Sequence, residues 1–132
     1  MCGGLGGVME AAARGAAAVG GEVIGILPGA DPADANPYCT HVVATGIGHA
    51  RNLAVVASAD AVIAIGGEWG TLAEIAFARR LERPVVALES WTVSGRGEMR
   101  DAPGIEPVDS PADAVERALA LAAAATQSPR AR

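Results

Sequence analysis

The stretch "AVIAIGGEWGTLAEIAFARR", residues 61–80, joins a short, continuous apolar run to a glycine bend and then to a segment with helical periodicity. An apolar run bounded by Asp60 and Gly66 is the pattern of a strand covered on both faces, which is typical of parallel sheets. The segment after the bend, residues 71–81, is expected to be a helix, with Thr71 and Glu74 in T-x-x-E capping-box spacing at its start. A strand, a glycine turn and a helix in that order form half of a βαβ unit. The stretch therefore sets the fold class as α/β with a mainly parallel sheet.

The flanking sequence repeats the pattern. Upstream, residues 8–19 carry apolar residues at helical spacing and stop on Gly20 and Gly21. "EVIGILPG" follows, with a strand expected at residues 23–27, closed by Pro28 and Gly29. "GADPADANPY" reads as a polar loop, "THVVATG" as a second short strand and residues 50–58 as a helix. Downstream, "RPVVALES" repeats the strand pattern and "SGRGEMRDAPG" reads as a long polar loop. "SPADAVERALALAAAA" opens a final helix with Ser110 as N-cap and Pro111 at the first helical position. One domain over residues 1–125 and a disordered tail over residues 126–132 are expected.

Bulk composition excludes several functions. The chain has 132 residues, a net charge of −5 and no like-charge run longer than a pair, so it lacks the basic stripe that nucleic acid requires. All ten cationic side chains are Arg. Without a lysine, Schiff-base and P-loop lysine chemistry are both ruled out. Cys2 and Cys39 are the only cysteines, and their spacing suggests two free thiols in a reducing compartment. Even with His41 they supply too few ligands for a zinc site, so no metal is expected. No signal segment is apparent, and the longest apolar stretch, "ALALAAAA", is far shorter than the about 20 residues of a membrane span. A cytoplasmic protein without a membrane partner is expected.

The chemistry-bearing residues gather in three segments that the fold class places at strand ends, where ligands of open α/β sheets bind. The first is the loop with Gly3, Gly4, Gly6 and Gly7. The second is "TGIGHARN", with Arg51 and Asn52, and the third is the bend with Gly67, Gly70 and Thr71. Glycines let backbone N–H groups approach an anion, helix N-termini add positive potential, and Arg51 offers a fork suited to phosphate. Glu74 has two readings: a capping residue with no further role, or a carboxylate facing ligand hydroxyls or a sugar carbon during cleavage.

Taken together, "GGLGGVME", "GILPG", "TGIGHARN", "SADAVIAIGGEWGTLAE" and "RPVVAL" resemble the Rossmann-like superfamily of LONELY GUY (LOG) phosphoribohydrolases and molybdenum cofactor carrier proteins. The resemblance covers roughly residues 2–125, and "GGVMEAAARGA" and "ANPY" look more like the carrier branch. It implies a Rossmann-like three-layer fold and a homodimer. It also implies a phosphorylated small-molecule ligand, either a molybdenum cofactor or a nucleotide, with no required cofactor. In the LOG branch the helix-start arginine and the glutamate of P-G-G-x-G-T-x-x-E are catalytic, and they match Arg51 and Glu74. The motif's proline and second glycine are replaced by Gly66 and Glu68, and a lysine by Asn52. A carboxylate at 68 repels a phosphate placed over that bend, which favours the carrier reading.

Two other readings remain open: a nucleoside 5′-monophosphate phosphoribohydrolase cleaving the N-glycosidic bond, and a structural or regulatory protein with a vestigial pocket. The label lysine decarboxylase, common for such chains, has no chemistry here. The family fold also carries a strand and helix before the first glycine loop. An N-terminally truncated domain is therefore expected, with the absent strand belonging next to residues 61–65.

Overall fold

The computed structural model describes residues 1–94 and 104–127. Its contacts divide the chain into two compact units, Met1–Val55 and Val56–Arg132, and every described strand pairing is parallel.

In the first unit, α1 (Val8–Ala18) ends as its terminal glycines dictate. Gly20 adopts φ 75°, and Gly21 N donates to Ala16 O at 2.9 Å, the bonding of a glycine-terminated helix. β1 (Ile24–Leu27) and β2 (His41–Ala44) run parallel in register from Ile24 opposite His41 to Leu27 opposite Ala44. Cys2 adds a single parallel bridge to Gly25, through Cys2 N to Ile24 O and Ile26 N to Cys2 O, each 2.9 Å. The crossover between β1 and β2 holds a 3-10 turn, Pro32–Asp34, whose first amide is capped by Asp31. α2 (Arg51–Ala57) leads from this unit into the next.

The second unit carries a three-stranded sheet in the order β3 (Val62–Ile65), β4 (Val85–Leu88), β5 (Ile105–Val108). β4 is central and buried along its whole length, as its uninterrupted apolar sequence requires. On one side Val85 packs with Val56, Ala64, Ile75 and Ala78, bringing in α3 (Trp69–Arg80). Val86 packs with Ala114 and Ala118 of α4 (Pro111–Gln127). The small side chains let these helices approach the sheet closely. Ser110 caps α4 as expected: its Oγ accepts from Asp113 N at 3.1 Å and donates to Asp113 Oδ2 at 2.6 Å. Among the described residues no helix is long and apolar enough to cross a membrane.

Three expectations are corrected. α3 begins at Trp69 rather than residue 71, with Glu68 as an extended N-cap that makes no side-chain capping bond. Thr71 and Glu74 therefore lie inside the helix, and the capping box does not form. β5 was not anticipated, because Glu106 and Pro107 break its apolar pattern; an edge position tolerates a residue that cannot donate to a further strand. α4 continues through Thr126 and Gln127, where a tail was expected, since the alanine run carries no stop signal. Residues 95–103 of the expected polar loop and 128–132 of the expected tail lie outside the described residues.

Candidate functional site

The glycine loop of the first unit lies against the end of β1. Gly4 is buried at φ 73°, and a side chain there would meet Leu27 Cδ2 at 2.7 Å and the Gly25 backbone at 3.1 Å. Only glycine satisfies both the backbone angle and the clearance. Asn36, buried in the loop after β1, fixes the other side. Its N–H donates to Gly4 O at 2.8 Å, its Nδ2 to Leu5 O at 3.0 Å, and its Oδ1 accepts from Tyr38 N at 3.1 Å. Sequence reasoning passed over Asn36 as a turn former. The asparagine–proline pair in "ANPY" was the available signal.

The segment "TGIGHARN" is stapled to the β1 exit. Thr45 Oγ1 donates to Leu27 O at 2.6 Å, Gly46 N to Gly29 O at 2.9 Å, and Gly48 N to Pro28 O at 3.0 Å. Gly46 and Gly48 supply the left-handed angles these contacts need, φ 66° and 61°. The staple delivers Arg51 and Asn52, each only 8% exposed, to the start of α2.

Arg51 lies against Gly3. A Cβ at Gly3 would collide with Arg51 Nη1, with Arg51 Cζ at 2.7 Å and with Met9 Sδ at 2.6 Å. Its Nε is buried without a hydrogen-bond partner. A guanidinium taken out of water with a donor unsatisfied is costly. On the outer side of the loop, Gly6 and Gly7 are exposed; the Glu10 carboxylate stands 3.8 Å from where a Gly6 side chain would be. The loop thus has the Arg51 cation against Gly3 and the Glu10 carboxylate near Gly6. Gly7, at φ 67°, is the N-cap of α1, so the first amides of that helix open onto the same loop.

The second unit holds the remaining candidates. Gly66, at φ 78°, turns the chain out of β3, and its carbonyl accepts from Ser90 Oγ at 2.7 Å. Trp91 Nε1 donates to Glu68 O at 3.2 Å and its ring lies 5.1 Å from that of Trp69, tilted by 35°. These contacts tie the bend to the segment leaving β4. Gly67, Glu68 and Gly70 are exposed, while Thr71 and Glu74 are half-buried on α3. A cavity of about 510 Å³ opens at the carboxyl ends of β4 and β5, lined among others by Ser90, Trp91, Thr92 and Asp109. Ser90 and Trp91 carried no recognisable sequence signal. Gly3, Gly4, Gly6, Gly7, Arg51 and Asn52 thus belong to the first unit, and Gly67, Gly70, Thr71 and Glu74 to the second. Among the described residues no cluster of three or more His, Cys, Asp or Glu side chains is placed to hold a metal ion.

The chain as a whole is similar to several known proteins. The chain is similar to the molybdenum cofactor binding protein of the phototrophic bacterium Rippkaea orientalis, at 31% identity and a TM-score of 0.75, over 87% of this chain and 71% of that one. It is similar to the molybdenum cofactor carrier protein of Chlamydomonas reinhardtii, at 30% identity and a TM-score of 0.76, over 92% of this chain and 76% of that one. An uncharacterised protein of Archaeoglobus fulgidus is 47% identical over 87 residues, 66% of this chain and 57% of the relative, so the match spans little more than half the relative's length. The fold is therefore the Rossmann-like fold of the LOG and carrier superfamily. The profile of the SLOG cluster4 family matches residues 1–115, and the chain belongs to that family.

Proposed function

We propose that this protein is a carrier-like binder of a phosphate-bearing small molecule, either a molybdopterin-type cofactor or a nucleotide. The ligand is cargo, not a resident cofactor. The observation that carries the reading is Arg51, buried against Gly3 with its Nε unpartnered at the foot of a glycine loop that opens a helix. Such a group gains little from protein contacts and much from an oxyanion. The cofactor-binding neighbours support the same class of ligand. On this reading the phosphate sits against Gly3 and Gly4 and the first amides of α1, with Arg51 as its counter-charge and Asn52 beside it. The working form on this reading is a cytoplasmic homodimer.

The test is a thermal-shift panel of molybdopterin and nucleoside monophosphates, each with its dephosphorylated counterpart. A species present at 100 times its Kd stabilises the fold by about 2.7 kcal/mol. Arg51→Ala is expected to abolish the preference for the phosphorylated form; equal loss for both forms makes Arg51 structural. The same panel separates the hydrolase alternative. Release of free base from AMP, stopped by Glu74→Gln, replaces the carrier reading with phosphoribohydrolysis.

A further inference from the structure

The two cysteines, 37 positions apart and unremarkable in sequence, are brought together by Gly25. Cys2 is paired with Gly25 across the parallel bridge, and paired residues present side chains to the same face of a sheet. Gly25 has no side chain, and the thiol of Cys39 fills that space, with its Sγ 2.7 Å and its Cβ 3.5 Å from where a Gly25 Cβ would be. The Cys2 sulfur accepts from Gly4 N at 3.4 Å, so it lies at the root of the glycine loop. Cys39 is anchored by its N–H to Asn36 O at 3.2 Å, in the segment that holds the loop from the other side. Both side chains thus neighbour the same Gly25 position. Burial, and then the neighbouring Cys2, raise the Cys39 thiol above its ordinary pKa. Both residues are half-buried and remain accessible to small molecules.

We propose that Cys2 and Cys39 are an oxidisable dithiol that closes to an intramolecular disulfide under hydroperoxide, fastening the glycine loop to the Asn36 segment. The thiolate of Cys2 attacks one peroxide oxygen; an S–O bond forms, the O–O bond breaks, and the departing hydroxide takes up a proton to become water. The sulfur of Cys39 then attacks the sulfenic sulfur of Cys2. The S–S bond forms, the S–O bond breaks, and hydroxide leaves with the Cys39 proton as a second water. Two thiols lose two electrons and two protons, and one peroxide becomes two waters. Cys2, whose sulfur accepts from Gly4 N at the root of the glycine loop, is assigned as the attacking residue, and Cys39, whose burial disfavours its thiolate, as the resolving one. A dithiol reductant reverses the bond by exchange.

The experiment uses the full chain at high dilution, treated with hydrogen peroxide, quenched with N-ethylmaleimide and weighed intact. The expected product is a monomer lighter by two hydrogens, unmodified by the maleimide, yielding on digestion a linked peptide pair containing Cys2 and Cys39. Its thermal midpoint should rise by roughly 5–15 °C, because the link removes loop entropy from the unfolded chain. Dithiothreitol should restore both properties. In Cys39→Ser the reaction should stop at a dimedone-trappable sulfenic acid on Cys2. Two alkylatable thiols after oxidation, separate over-oxidation of each cysteine, or disulfides only between chains would each overturn the proposal. The intact mass of the unmutated chain decides the matter without reference to ligand binding or to how well the variants fold.

Discussion

Replacing Gly3 by alanine tests the proposed anion site without removing any charge. Gly3 does not occupy the left-handed region, so the new methyl adds no backbone strain there. It would stand 2.7 Å from Arg51 Cζ and closer to Nη1. Carbon contacts settle at about 3.5–4.0 Å, so the guanidinium has to retreat by roughly 1 Å. Overpacking of this kind costs about 1–3 kcal/mol of stability, nearer the lower figure here because the group that moves is the end of a long side chain. The bond to a phosphate is more sensitive. A charge-assisted hydrogen bond contributes about 1.5–3 kcal/mol and needs its geometry, so affinity for the best phosphorylated ligand of the panel should fall about 10- to 100-fold. Affinity for the dephosphorylated counterpart should hardly change. Titration calorimetry measures both affinities, and urea unfolding reports stability separately. A folded Gly3→Ala protein that binds the phosphorylated ligand as tightly as the parent would refute the placement of the phosphate against Arg51.

Three further expectations concern the scaffold. Leu27→Ala, at a fully buried position beneath Gly4, should lower the free energy of unfolding by about 2–5 kcal/mol in urea titration. Ser110→Ala should lose about 1 kcal/mol by the same measurement, because Asp113 N loses its cap; an unchanged midpoint would show that Asp113 alone suffices. Glu106 accepts a two-pronged bond from Arg117, Nε to Oε1 at 2.6 Å and Nη2 to Oε2 at 2.7 Å, which holds its carboxyl below the usual carboxylate range. A depressed folded pKa stabilises above the unfolded value and is lost as pH falls through the folded one, so the contribution disappears only in acid. NMR titration of Arg117→Met should return the Glu106 carboxyl to the ordinary range, with little change in stability at neutral pH because both groups are exposed.

The sequence alone determined the alternation of elements and the superfamily to which the fold belongs. Glycines after apolar runs, the closed run at 62–65, the glycine stop of α1 and the Ser110–Pro111 start of α4 are local signals, set by backbone angles and by hydrogen bonds a few residues apart. The superfamily was legible for the same reason, since the motifs that carry it are local glycine turns. Features that depend on contacts across long sequence separations were hidden. β5 exists because β4 offers it an edge, although Glu106 and Pro107 argue against a strand. The early start of α3 accompanies the anchoring of the bend by Ser90 and Trp91, which overrode the capping-box spacing of Thr71 and Glu74. Asn36 became a clamp on the glycine loop, and Gly25 brought Cys2 and Cys39 together. Arg51 shows both contributions. Its position at a helix start was readable, but its burial against Gly3 with an unpartnered Nε came from the stapling of residues 45–48 onto the end of β1, a contact that only the folded chain creates.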